Sequence, residues 1–123
     1  MEIALILHNI RSTYNVGSIL RTADGFGVNQ VIYSGYTPTP LPHSKLLPHL
    51  AEKNNSQIHK TALGAEQTLK SSISDDIKAT LKELKTAGYQ IIGLENNLKD
   101  QKTWLLNNRE TKKQLHQKVA ILL

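Results

Sequence analysis

The chain has 123 residues, a length that suits a single domain, and it contains no cysteine, which excludes a disulfide framework, a thiolate metal site and a cysteine nucleophile. Hydrophobic residues make up 39% and charged residues 20%, which supports a packed core and argues against a wholly disordered chain. Fifteen basic and ten acidic residues leave a net charge of +5, which suits an RNA partner and a lysine-rich surface equally well.

The longest apolar runs, Ile3–Leu7 and Val119–Leu123, are too short to cross a bilayer. No basic segment precedes the first run, so the sequence predicts no secretory signal. We therefore expect a soluble, cytoplasmic protein that has no membrane partner.

The first 34 residues predict a strand, a loop, a helix and a second strand. Ile3–Leu7 is a continuous apolar run, which is typical of a strand buried on both faces. Asn15 is the predicted N-cap of the helix, and Gly27 is the predicted left-handed residue that ends it. Its apolar face consists of residues spaced three and four apart: Val16, Ile19, Leu20, Ala23 and Phe26. With the strand at Val31–Tyr33, this order predicts a βαβ unit with parallel strands.

The middle of the chain gives weaker indications. Four prolines make Gly35–Pro48 an irregular excursion, with room for one helical turn near Lys45–Leu47. Leu50–Glu66 has no decisive periodicity, and Thr68–Ser71 is a candidate short strand.

The last third predicts a helix and two more strands. Ser74 is the predicted N-cap of the helix, and Gly88 ends it. Strands are predicted at Tyr89–Leu94 and Val119–Leu123, and the polar stretch between them has one apolar anchor at Trp104–Leu106. The alternation of strands and helices predicts one α/β domain over residues 1–123, with a mostly parallel sheet and flanking helices.

The residues around the start of the first helix are the strongest candidates for function. A helix N-terminus offers unpaired amides and a partial positive charge to a phosphate, and Gly17 would let a ligand approach closely. Arg21 lies off the apolar face beside Ser18, where its guanidinium could bind a phosphate or sugar oxygen, and Arg11 could contact RNA phosphates. The alternative is that Asn15 only caps the helix and that the two arginines are ordinary surface charges.

Four segments resemble one family in the correct order along nearly the whole chain. Asn15, Gly17, Arg21, Thr22, Ala23 and Gly27 resemble the first motif of the SpoU/TrmH family of RNA 2'-O-ribose methyltransferases. Lys60–Glu66 resembles the stretch before the family's third strand. Tyr89–Glu95 and Lys118–Leu123 resemble its fourth and fifth strands.

The resemblance implies a fold and a reaction. The family has an α/β domain with a deep trefoil knot, and its second and third motifs follow the fifth strand, so we expect an incomplete α/β-knot (SPOUT) domain that lacks the C-terminal knot. The implied cofactor is S-adenosylmethionine, the implied substrate is tRNA or rRNA, and the implied assembly is a homodimer. Arg21 corresponds to the catalytic arginine and Asn15 to an RNA-binding residue, while Leu94 and Glu95 lie where the fourth strand touches the cofactor. No metal site is predicted, because the five histidines show no metal-ligand spacing.

Three hypotheses follow. The first is an S-adenosylmethionine-dependent RNA 2'-O-ribose methyltransferase, present as a truncated chain that we expect to be inactive alone and to bind cofactor poorly. The second is a non-catalytic RNA-binding remnant, or a truncated product without cofactor binding. The third is a flavodoxin-like nucleotide or phosphate binder.

Overall fold

A computed structural model describes residues 1–94 and 113–123, which form a five-stranded sheet with helices on both faces. The strands are β1 (Glu2–His8), β2 (Gln30–Ser34), β3 (Ser71–Ser74), β4 (Gln90–Gly93) and β5 (Lys118–Leu122), in the spatial order β3-β2-β1-β5-β4. The helices are α1 (Thr13–Gly25), α2 (Pro48–Ala62), α3 (Ala65–Thr68) and α4 (Ile77–Thr86). Every strand pairing is parallel, which confirms the predicted α/β class.

Strand β1 lies at the centre of the sheet and contributes to two hydrophobic clusters. Leu5 pairs with Val31 of β2 on one side and with Ile121 of β5 on the other. Leu5 and its alternate neighbours pack against α1 and α2, whereas Ile6 packs against α4 on the opposite face. A strand covered on both faces needs a continuous apolar run, and this explains the pattern of residues 3–7.

Helix α1 begins earlier than the sequence predicted. Ser12, in an extended conformation, is its N-cap, and the Ser12 hydroxyl accepts a hydrogen bond from the Asn15 amide at 3.2 Å. The prediction that Asn15 is the cap was therefore wrong, and Asn15 lies exposed in the first turn. The predicted end is confirmed, because Gly27 adopts a φ of 72° that suits glycine.

Helix α2 occupies most of the segment whose periodicity was undecided. It begins at Pro48, whose fixed φ suits the first turn, so Lys45–Leu47 is not helical. Only Ala51, Ile58 and Ala62 are buried, which leaves too few apolar side chains for a clear helical pattern in the sequence.

The predictions around β3 were displaced along the chain. Thr68 ends the short helix α3, and the strand occupies Ser71–Ser74, so the predicted strand at 68–71 was wrong. Asp76 caps α4 by accepting from the amides of Lys78 and Ala79, whereas Ser74 is the buried last residue of β3. The predicted helix end at Gly88 is confirmed by its φ of 92°.

The connections at the carboxyl ends of the strands determine where ligands can bind. The chain leaves β1 and β2 toward α1 and α2 on one face, but it leaves β3 toward α4 on the other face. Adjacent strands whose connections diverge in this way open a crevice, and here it lies between the ends of β2 and β3. Among the described residues, no helix is long and apolar enough to span a membrane.

Candidate functional site

Three of the predicted site residues lie together on the outer surface of α1. Asn15, Ser18 and Arg21 are all exposed and follow one another at intervals of three residues, which places them on successive turns of the helix. We call these three residues the α1 ridge. Its length is about 9 Å along the helix axis, from six residues at the helical rise.

The guanidinium of Arg21 is available to a ligand. Its side chain is exposed, and no carboxylate in residues 1–94 or 113–123 forms an ion pair with it. A structural ion pair would have fixed the side chain and neutralised its charge, and the described part of the chain contains no such pair. The ridge can therefore present a forked cation together with a hydroxyl and an amide.

Gly17 does not belong to this exposed surface. It is buried beneath α2, where a Cβ atom would lie 2.0 Å from Thr61 Oγ1 and 2.3 Å from the carbonyl oxygen of Ile58. The prediction that Gly17 admits a ligand was wrong, because the space that the missing side chain leaves is filled by the neighbouring helix. The glycine allows close packing of α1 on α2.

Arg11 lies apart from the ridge, in the loop between β1 and α1. It lines a cavity of about 510 Å³ at the crevice between the ends of β2 and β3, and no ridge residue lines that cavity. The cavity wall is held by Thr37, whose hydroxyl donates to the Leu7 carbonyl at 2.9 Å and accepts from the Ile10 amide at 3.1 Å. The sequence predicted an irregular excursion here but not the cavity, which forms only when the loops after β2 and β3 come together.

Leu94 lies directly after β4 and borders an apolar groove. Its amide donates to the Leu122 carbonyl at 2.9 Å, and its side chain is 42% exposed. The groove has a volume of about 500 Å³ and runs between α1 and the β1–β5 side of the sheet; its walls include Ile19, Phe26, Ile121 and Leu123. Ser18 also lines it, so the groove adjoins the α1 ridge. Glu95, the other predicted cofactor residue, and Trp104–Leu106 lie outside the described residues.

The groove fits the apolar part of S-adenosylmethionine. Its aliphatic and aromatic walls suit a purine ring and a thioether chain, and Ser18 and Thr22 add two hydroxyls. Among the described residues, no charged side chain lines the groove. The described lining therefore offers no charged partner for the amino and carboxylate groups of the methionine part.

Glu66 stabilises the junction between α2 and α3. Its side chain is 3% exposed and pairs with His59, and its second oxygen accepts from the Gly64 amide at 3.0 Å. Burial alone raises the pKa of Glu66, but the hydrogen bonds from His59 and the nearby amides outweigh burial and lower that pKa. Glu66 therefore has a structural role in the Lys60–Glu66 segment. No local pattern in the sequence indicated that role.

A family model matches nearly the whole chain, and known proteins resemble most of it in sequence. The model of the SpoU rRNA Methylase family matches residues 2–123. The chain is 34% identical over 113 residues to the 23S rRNA (guanosine-2'-O-)-methyltransferase RlmB of Neisseria meningitidis serogroup B, in a match that covers 85% of this chain and 40% of that protein. RlmB of Nitrosomonas europaea is 32% identical over 89 residues, which are 72% of this chain and 29% of that protein. The chain thus spans well under half the length of these relatives.

Solved structures share the fold. An rRNA methyltransferase from Sinorhizobium meliloti has a TM-score of 0.67 at 19% identity, with coverage of 98% of this chain and 39% of that one. An AdoMet-bound rRNA methyltransferase from the same organism has a TM-score of 0.66 at 20% identity, covering 98% and 38%. The TrmH/SpoU tRNA modifying enzyme of A. aeolicus has a TM-score of 0.64 at 18% identity, covering 99% and 51%. These likenesses support the fold, and the family match over residues 2–123 with the 34% identical relative establishes the wider relationship: the chain belongs to the SpoU rRNA methylase family.

Proposed function

We propose that this chain forms part of an RNA 2'-O-ribose methyltransferase that acts on ribosomal RNA with S-adenosylmethionine as methyl donor. The observation that carries the proposal is Arg21, which is exposed and unpaired within the described residues, on a ridge that adjoins the Leu94 groove in a SpoU-family chain. Ribosomal RNA is the proposed substrate because both similar proteins are named as 23S rRNA methyltransferases.

The ridge has the chemistry that a ribose hydroxyl requires. A 2'-hydroxyl is a weak nucleophile, and well-placed proton transfer accelerates such reactions by about 10²- to 10⁴-fold. Arginine stays protonated in proteins, so Arg21 is suited to orient the ribose phosphate and to stabilise negative charge that develops on the 2'-oxygen. Asn15 and Ser18 add hydrogen-bonding groups along the same surface.

The methyl group would come from the sulfonium of bound S-adenosylmethionine. Among the described residues, Leu94, Ile121 and Leu123 would hold its adenine in the apolar groove. Glu95 remains a predicted cofactor residue by resemblance to the family. A homodimer and a cytoplasmic location belong to the same proposal, the first supported by the exposed ring of Phe26 at the end of the groove away from Leu94 and the second by the ribosomal substrate.

The test is transfer of a labelled methyl group to ribosomal RNA by the protein expressed from its complete gene. We expect the labelled nucleotide to be recovered in an alkali-resistant dinucleotide. A 2'-O-methyl group blocks attack of that oxygen on the adjacent phosphate, so the phosphodiester bond beside it survives. Label on a base, or no incorporation into any ribosomal RNA, would overturn the proposal.

Weak cofactor binding by the 123-residue chain alone is the second part of the proposal. The described residues provide apolar walls and two hydroxyls in the groove but no charged partner for the ends of the methionine part. This same observation favours the alternative function, a non-catalytic RNA-binding module. Calorimetry with S-adenosylmethionine tests the chain directly, and tight stoichiometric binding would contradict both the weak-binding expectation and the alternative.

A further inference from the structure

The cavity between the ends of β2 and β3 has no role in the function proposed so far. It has a volume of about 510 Å³, which lies within the roughly 300–1,000 Å³ typical of ligand sites. It also lies at the point where the connections of adjacent parallel strands diverge to opposite faces, the usual place for ligands in open α/β sheets.

The cavity walls combine a cation, an aromatic ring and hydroxyl groups. Arg11 is exposed, and no carboxylate of the described residues pairs with it. Tyr36 also lines the cavity and is 60% exposed, so its ring is accessible to a ligand. Thr39 and Ser44 are partly exposed and supply hydroxyls that can donate and accept hydrogen bonds, whereas Ser34 is buried and bonded to His8 Nδ1 at 2.8 Å.

The loops that carry these groups are joined to one another before any ligand binds. The Tyr36 amide donates to Asn9 Oδ1 at 3.2 Å, so the backbone that carries the ring is fastened to the loop that carries Arg11. At the rim, Lys45 Nζ lies 2.8 Å from Asp75 Oδ1 and joins the loop after β2 to the loop after β3. A site prepared in this way loses less conformational entropy when a ligand binds.

We propose that this cavity binds one unpaired nucleotide of the RNA substrate, with its base stacked on Tyr36 and its phosphate bound by Arg11. This inference rests on the proposed function, because RNA is the ligand that supplies both groups. The nucleotide is not the one that is methylated: Thr13 lines the cavity, and Arg21 lies eight residues further along α1, or about 12 Å by the helical rise. The cavity is therefore a second subsite that positions the RNA.

The experiment measures binding of a fluorescein-labelled single-stranded RNA decamer by anisotropy, over a range of salt concentrations. We expect Tyr36→Ala to raise Kd about 5- to 150-fold, the effect of losing one base–aromatic stack, and Tyr36→Phe to bind as the wild type does. We expect Arg11→Ala to reduce the slope of log Kd against log salt by about 0.7, the value for one phosphate of a single strand. Lys82→Ala is the matched control, because it removes an exposed charge from α4, on the opposite face of the sheet.

The outcomes separate this subsite from the proposed activity. If Tyr36→Ala and Arg11→Ala bind the decamer with the wild-type Kd and the wild-type salt slope, the proposed subsite is overturned even if the protein methylates RNA. The same would follow if the protein bound no RNA at low salt, if Tyr36→Phe were as weak as Tyr36→Ala, or if free uridine monophosphate displaced the decamer at equal concentration. Loss of binding in both variants supports the subsite even if no methyl transfer is found. With an active protein, we expect both variants to raise KM for ribosomal RNA and to leave kcat unchanged.

Discussion

At the scale of single residues, exposure alone does not distinguish a functional arginine from a solvated one. Arg11 and Arg21 are both exposed and unpaired within the described residues, yet they serve different surfaces. Arg11 lines the cavity at the β2–β3 crevice, whereas Arg21 lies on the α1 ridge with Asn15 and Ser18. Spacing along one helix predicted that Arg21 lies beside Ser18. Only the folded chain shows that Arg11 lies on a different surface.

Arg21→Ala is expected to lower kcat/KM for ribosomal RNA by about 100-fold or more, as loss of a group that stabilises developing charge does. The free energy of unfolding should change by less than about 0.5 kcal/mol, because the side chain is exposed and has no described partner. Methyl transfer and urea unfolding measure the two effects. Arg21→Lys keeps the positive charge but loses the paired N–H donors of the guanidinium, so we expect intermediate activity. Unchanged turnover in Arg21→Ala would contradict its role.

At the scale of elements, the packing of α1 on α2 depends on Gly17. Replacement by alanine places a methyl group against Thr61 Oγ1 and the Ile58 carbonyl, so the helices must separate. We expect Gly17→Ala to lower the free energy of unfolding by about 1–3 kcal/mol, as overpacking does. Gly25→Ala is the control, because Gly25 lies in the same helix with nothing within 4 Å of the added Cβ. Equal urea midpoints for the two variants would refute this account.

The junction of α2 and α3 predicts a pH dependence of stability. The pKa of Glu66 is lower in the folded chain than the usual 4.5, so the ionised form stabilises the fold. This contribution is complete above the unfolded pKa, and it is lost as the pH falls through the lower folded pKa. We expect Glu66→Gln to be less stable than the wild type at pH 7 and to lose less stability between pH 5 and pH 3, as measured by urea unfolding. A pH profile unchanged by Glu66→Gln would exclude this contribution.

At the scale of the whole molecule, the apolar groove leaves much hydrophobic surface uncovered by the described residues. Phe26 is 80% exposed at its lower end, and Leu94 is 42% exposed at its upper end. Surfaces of this kind favour association. We expect sedimentation velocity to give twice the mass of the chain at micromolar concentration, and a monomer across that range would contradict the proposed homodimer.

The sequence by itself determined β1, α1, β2, α4, β4 and β5 in their order, the buried central strand and the helix ends at Gly27 and Gly88, because apolar periodicity and left-handed glycines are local properties. It left α2 and α3 unassigned and misplaced β3. The sequence also determined the family, because the family's motifs can be recognised from their residues and their order along the chain. Only the tertiary structure decided that Gly17 packs against α2, that Asp76 rather than Ser74 caps α4, and that Arg11 lines a cavity apart from Arg21. These features depend on contacts between segments distant in the chain, and spacing along one helix or loop carries no information about which distant segment will pack there.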